Sequence, residues 1–174
     1  PGTGSGSLIP CAAGTYQPDI GKAACIPAAV GHYVPSMGSA RVMRCAAGTY
    51  QPNTGRSACI LASIGHFVPG RGASSQLTCP NYQTTSALGA TACRVMTTPE
   101  RFGALTAYVT DKGPGSVLRQ FVVAARTAFL GNDIAGARRN LDEAKSTARS
   151  ESGHSLTPGQ ANKIVKDANA VLVW

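Results

Sequence analysis

The feature that most constrains this chain is a phrase that recurs every 17 residues between Cys11 and Cys93. Cys11-Ala12-Ala13-Gly14-Thr15-Tyr16-Gln17-Pro18 returns unchanged from Cys45 to Pro52, and an altered copy, Cys79-Pro80-Asn81-Tyr82-Gln83, follows. Between them stand two half-matches, Gly31-His32-Tyr33-Val34-Pro35 and Gly65-His66-Phe67-Val68-Pro69. Gly14, Gly31, Gly48 and Gly65 thus mark the period, and alternate copies differ. Self-similarity at a fixed interval implies a stacked array in which each unit completes its core on its neighbours. The doubled period of 34 residues also suits tetratricopeptide repeats, but these units are rich in Gly and Pro and have no apolar stripe of helical spacing. Helical repeats are excluded.

Six cysteines allow fifteen connectivities, and the repeat register chooses among them. In copies one, three and five a cysteine precedes the marker position by three residues and another follows it by eleven: Cys11/Cys25, Cys45/Cys59 and Cys79/Cys93. The same slots hold Ala28 and Val42 in copy two, and Ala62 and Gln76 in copy four. Both members are present or both are absent, as expected of a covalent pair within one unit. The register therefore predicts Cys11–Cys25, Cys45–Cys59 and Cys79–Cys93, each closing a loop worth about 3 kcal/mol in the chain-entropy model. The rival links successive copies through Cys25–Cys45 and Cys59–Cys79. A zinc site is the weaker reading, because no Cys-x-x-Cys pair occurs. Three cystines place the chain in an oxidising compartment, at the cell surface or outside the cell.

The spacing Cys-x-x-Gly-Thr-Tyr, continued to the second cysteine at Cys25 and Cys59, resembles the cysteine-rich repeats of the ephrin-receptor and tumour-necrosis-factor-receptor-like families. The resemblance spans residues 11 to 93; it departs in copies two and four, which lack cysteines, and in copy five, where Asn81-Tyr82 replaces Gly-Thr-Tyr. It implies an extracellular rod of small β-hairpins with no catalytic residues. Within the array, Tyr16, Tyr33, Tyr50, Phe67 and Tyr82 are expected to form an aromatic ladder that packs along the rod and substitutes for the missing cystines; the functional alternative is a glycan-binding face. His32 and His66 occupy matching slots but lack the carboxylates or thiols that would complete a metal set.

Ahead of the array, residues 1 to 10 (PGTGSGSLIP) read as a flexible tail or linker. Leu8 and Ile9 are candidate assembly contacts there, held by strand addition to a neighbouring subunit. Pro1 is a poor residue to follow a signal-peptidase cut, so a trimmed or partial chain is expected.

After Cys93 the pattern becomes helical. Residues 94 to 99 read as a junction. Phe102, Leu105 and Val109 then form a stripe that ends at Gly113-Pro114-Gly115. Ser116 opens a second helix with Leu118, Phe121, Val122, Ala125 and Phe129, closed by Gly131-Asn132. Asp133 caps a third, along Ile134, Ala137, Leu141, Ala144 and Ala148. Thr157, Pro158 and Gln160 form a capping box for a fourth, along Ala161, Ile164, Val165, Ala168, Val171 and Leu172. Four short amphipathic helices predict a small bundle. Ala125-Arg126-Thr127-Ala128-Phe129, Gly131-Asn132, Ala137-Arg138, Leu141 and Leu156-Thr157-x-x-Gln160-Ala161 resemble the FIMAH domain of secreted bacterial proteins, which implies a secreted modular chain and no reaction. The expected fold is therefore multi-domain, β plus α: residues 11–95 an elongated, disulfide-stapled rod of short hairpins, and residues 96–174 a four-helix bundle.

No motif in the chain points to catalysis, a metal or a cofactor. The sequence holds no G-x-S-x-G elbow, H-E-x-x-H helix or phosphate loop. Adjacent Asp142 and Glu143 point to different sides of a helix, Asp133, Glu151 and Asp167 read as caps or surface charges, and His154 falls in a turn. No run reaches the length of a membrane span. Net charge is +8; residues 1 to 95 hold six basic side chains against Asp19 alone, a net of +5. The basic residues are scattered, so a nucleic-acid partner is not expected, while an anionic polysaccharide remains a candidate. The sequence reads as a non-enzymatic extracellular structural protein, a subunit of a self-assembling surface filament or sheath whose further joints are Val173 and Trp174; the alternative is an accessory polysaccharide-binding module of a larger secreted protein.

Overall fold

A computed structural model describes residues 10–110, 112 and 115–173. The chain divides into two compact units, Pro1–Val95 and Met96–Trp174. The first contains five antiparallel hairpins of two-residue strands: β1 (Thr15–Tyr16) with β2 (Ile26–Pro27), β3 (His32–Tyr33) with β4 (Met43–Arg44), and β5 (Thr49–Tyr50) with β6 (Ile60–Leu61). β7 (His66–Phe67) with β8 (Leu77–Thr78) and β9 (Gln83–Thr84) with β10 (Arg94–Val95) complete the set. Each hairpin falls within one 17-residue unit, the units being 11–27, 28–44, 45–61, 62–78 and 79–95.

Two-residue strands cannot hold themselves together, so the units depend on their junctions. At the first junction Ala28 N–H donates to Gly14 O (2.9 Å), Gly14 N–H to Val34 O (2.8 Å), Gln17 N–H to Ser39 O (3.1 Å) and Gly38 N–H to Cys11 O (2.8 Å). The same set recurs 17 residues on, from Cys45, Gly31, Val34 and Gly55, and again from Ala62, Gly48, Gln51 and Gly72. At the last junction Cys79, Val68 and Gly89 repeat it, while Gly65 N–H donates to the hydroxyl of Thr85 instead of a main-chain carbonyl. The main-chain lattice therefore takes no notice of which units carry cystines.

The second unit holds α1 (Thr98–Thr110), α2 (Gly115–Leu130), α3 (Ile134–Ser150) and α4 (Pro158–Val171), with α1 against α2 and α4, and α3 against α2 and α4. This is the cyclic neighbour pattern of a four-helix bundle. Phe102, Leu105, Val109, Leu118, Val122, Ala125, Ala137, Leu141, Ala144, Ala148, Ala161, Ile164, Ala168 and Val171 form one buried core. Leu156, from the α3–α4 connection, is buried among them. The first helix begins two residues before its expected start, and the strand β10 occupies Arg94–Val95, so the junction shrinks to Met96-Thr97. Pro99 is accepted because a first-turn residue needs no intrahelical donor, and Thr97 donates to the Glu100 carboxylate from both its N–H and its hydroxyl.

The caps follow the sequence closely. Asp133 accepts from Gly136 N–H at 2.7 Å, and the Thr157/Gln160 box is closed in both directions. Asn132, at φ 63, ends α2, with Asp133 N–H returning to Ala128 O and Asn132 N–H to Phe129 O. Arg101 reaches across from α1 to the carbonyls of Ala170 and Val173, placing a cation at the C-terminal end of α4.

Candidate functional surface

The cystines are Cys11–Cys25, Cys45–Cys59 and Cys79–Cys93, with Cα separations of 5.6, 5.8 and 5.8 Å. They occupy the first, third and fifth hairpins; no described cysteine is free. The intervening units fill the slots differently. In unit two Ala28 is fully buried beside a half-buried Val42. In unit four Gln76 spans the gap by polar contacts: its Oε1 accepts from Ser63 N–H at 2.8 Å and its Nε2 donates to Ser63 Oγ at 2.9 Å. A second slot alternates with the first. Gln17 and Gln51, in cystine units, donate to the carbonyls of Ala24 and Ala58 just before the second cysteine, and accept from the N–H of Asp19 and Asn53. In the units without cystines the equivalent residues are the buried Val34 and Val68. Units with a covalent staple thus carry a hydrogen-bonding glutamine, and units without one carry an apolar plug.

The aromatic residues do not form the expected ladder. Tyr16, Tyr33, Tyr50 and Phe67 keep their 17-residue register and are half-buried, but the described residues contain no ring–ring pair within the array; the pair at 5.7 Å is Phe102–Phe129 in the bundle. Each ring instead lies opposite an aliphatic residue of its own hairpin: Tyr16 with Ile26, Tyr33 with Met43, Tyr50 with Ile60, Phe67 with Leu77. Cross-strand partners stand close enough to fill that side of the ring, so stacking between units is not needed. Nor does Tyr82 belong to the set. Thr84 takes the fifth rung, opposite Arg94, and Tyr82 stands in the slot of Gly14, Gly31, Gly48 and Gly65 with φ 61. The valines and the Gln76–Ser63 contact take the place of the absent cystines.

The aliphatic partners Ile26, Met43, Ile60 and Leu77 are 41 to 50% exposed. Every hairpin but the last therefore offers an apolar side chain next to a half-buried ring, in a unit with six cationic side chains and one acid. This is the surface in the array most suited to binding.

The polar residues singled out in the sequence take local roles. His32 Nδ1 lies 2.9 Å from Val30 O; His66 Nδ1 lies 3.1 Å from Ser63 Oγ. No cluster of three metal-ligating side chains occurs among the described residues. Asp142 pairs with Lys145 at 2.5 Å, Asp167 with Lys163 at 2.6 Å, and Glu151 accepts from Ser155. Val173 is exposed, and its carbonyl is held by Arg101. Leu8, Ile9 and Trp174, proposed as assembly contacts, and the turn at Gly113-Pro114 lie outside the described residues. None of the described helices is long and apolar enough to cross a membrane.

Comparison with slots 18–27 exposes a signal that the reading of residues 1–10 as a linker passes over. Pro1 falls on Pro18, Gly4 on Gly21, Ile9 on Ile26 and Pro10 on Pro27, with Leu8 in the slot of Cys25 and Val42. Without cysteine or aromatic residues the segment looks like a Gly/Ser tail, yet it continues the repeat. A scan against models of known protein families matches none, and no curated protein is significantly similar to the chain.

Proposed function

We propose that the chain is a non-enzymatic extracellular structural protein, in which the array is a stiff spacer within a self-assembling surface filament or sheath. The observation that carries this reading is the junction lattice. The same four inter-unit bonds recur through stapled and unstapled hairpins alike, which suits a segment selected for uniform geometry over a particular pocket. Three cystines favour an oxidising compartment. The helical unit is read as a FIMAH-like module of secreted bacterial proteins, appended to the spacer. Negative-stain microscopy of the purified protein tests the filament: regular polymers are expected, and monomers under every condition would remove it.

The exposed aliphatic residues beside the rings favour a second reading, an accessory module that holds anionic polysaccharide. Here Tyr33 and Tyr50 would stack on sugar rings while the scattered arginines meet carboxylates. Glycan-array binding that is lost in Tyr33→Ala and Tyr50→Ala would favour this reading over the filament.

A further inference from the structure

At every internal junction one unit sits on a fixed set of groups of the next. Val34 O receives Gly14 N–H, Ser39 O receives Gln17 N–H, and Gly38 N–H returns to Cys11 O. Shifted back by one period, the groups that would receive a unit ahead of unit one are Gln17 O, Lys22 O and Gly21 N–H. None of the three makes a hydrogen bond with the described residues. They border a concave surface lined by Pro10, Cys11, Gln17, Ile20, Gly38 and Ser39, among others, in which Ile20 is fully exposed.

Pro10 fixes the register of this surface. A Cβ built on Gly38 would lie 3.6 Å from Pro10 Cβ, as one on Gly55 would lie 3.8 Å from Pro27 Cβ and one on Gly72 3.6 Å from the side chain of Arg44. Pro10 therefore occupies the second-strand slot of a unit preceding the first. In each hairpin that slot pairs with a residue 12 positions earlier, as Pro27 does with Thr15 and Arg44 with His32. No residue of this sequence lies 12 positions before Pro10.

We propose that the concave surface at the head of the array is a docking site for a half-repeat of the same type: a seven-residue segment with glycine fourth and an aromatic residue sixth, joined in register to Pro1. The chemistry of the seat selects this occupant. Its fourth residue must be glycine, because at the equivalent positions a Cβ on Gly14, Gly31 or Gly48 would stand 2.1–2.2 Å from the carbonyl oxygen of Gly55, Gly72 or Gly89. The occupant must be of the cystine-free kind, because Leu8 stands where its second cysteine would be. The same steric rule excludes the end of a second copy. Unit five presents Tyr82 in the glycine slot, and its Cβ would run into Gly38 O. Copies of this chain do not join head to tail through this face, whatever the array is used for, and any filament joint lies elsewhere.

The experiment fuses a copy of residues 28–34 (AAVGHYV) ahead of Pro1 in the full chain and compares it with the same fusion carrying tyrosine in place of its glycine. The glycine fusion is expected to raise the unfolding midpoint of the array by about 4–8 °C and to slow amide exchange at Gly21 by at least about tenfold; the tyrosine fusion is expected to do neither. Equal behaviour of the two fusions, whether both stabilise or neither does, overturns the proposal. So does concentration-dependent self-association of the unfused chain that the glycine fusion abolishes, since a second copy would then be the occupant.

Discussion

A Cβ at Gly31 would stand 2.1 Å from the carbonyl oxygen of Gly72, on a backbone already at φ +74. Gly65 has a similar φ of +78 but nothing within 4 Å of its Cβ position, because the array ends before a next-but-one unit could reach it. The two sites separate the cost of conformation from the cost of contact. Gly65→Ala is expected to lose about 1–2 kcal/mol, the left-handed penalty alone. Gly31→Ala must also push apart two stretches of main chain, so a loss of about 2–5 kcal/mol is expected. Urea unfolding of both variants checks the order, and equal losses would mean that the units do not touch at Gly31. The spacing of these glycines was legible in the sequence. Their reason was not, since the carbonyl that demands Gly31 lies 41 residues away. Tyr82 was misread for a related cause: its aromatic ring suggested the ladder, whereas its position is that of a glycine no longer pressed by a neighbour.

At the scale of the hairpin, the alternation of stapled and unstapled units is a substitution experiment already present in the chain. Ala28 with Val42 holds the same junction bonds as Cys45 with Cys59. Replacing the central pair by Cys45→Ala with Cys59→Val is therefore expected to leave slow exchange at Gly31, Gly48 and Gly72 in place. The stability lost should be about 3 kcal/mol, the loop-closure contribution. Wholesale loss of protection in hydrogen exchange would show that the staple creates the hairpin. The pairing could be read from the register because both slots change together, but the compensating Gln51 and Val34 slots needed coordinates, since their partners are main-chain carbonyls that sequence does not mark. Helix elements were more legible. Asp133 and Thr157 announce their helices by residue type and spacing, and only the start of α1 was misplaced, because Pro99 reads equally as a breaker or as a first-turn residue. Asp133→Ala should cost about 1 kcal/mol. Gly136→Ala should act in the same direction, because a Cβ there would meet the capping carboxylate at 2.0 Å. Thermal unfolding of the helical unit reads both.

On the scale of the whole chain, the change of pattern after Cys93 marked the boundary between units, and the structure divides them at Val95 and Met96. All six cysteines lie before that boundary and none after it, so the two units have different chemical supports. Three loops at about 3 kcal/mol each compare with a total stability of about 5–15 kcal/mol for an ordinary domain. The array buries few large side chains: its fully buried ones above alanine in size are Val34, Val68 and Cys45, against Phe102, Leu105, Leu118, Ile164 and several others in the bundle. Reduction should therefore unfold the array while leaving the bundle folded. In calorimetry with a thiol reductant, one transition is expected to fall or vanish while the other keeps its midpoint, and far-ultraviolet helicity should persist through the first. A bundle transition that moved together with the array would mean that the units share a folding interface. An array that kept its midpoint when reduced would mean that the junction bonds suffice without the staples, and the stiffness of the spacer would then have to come from the main chain alone.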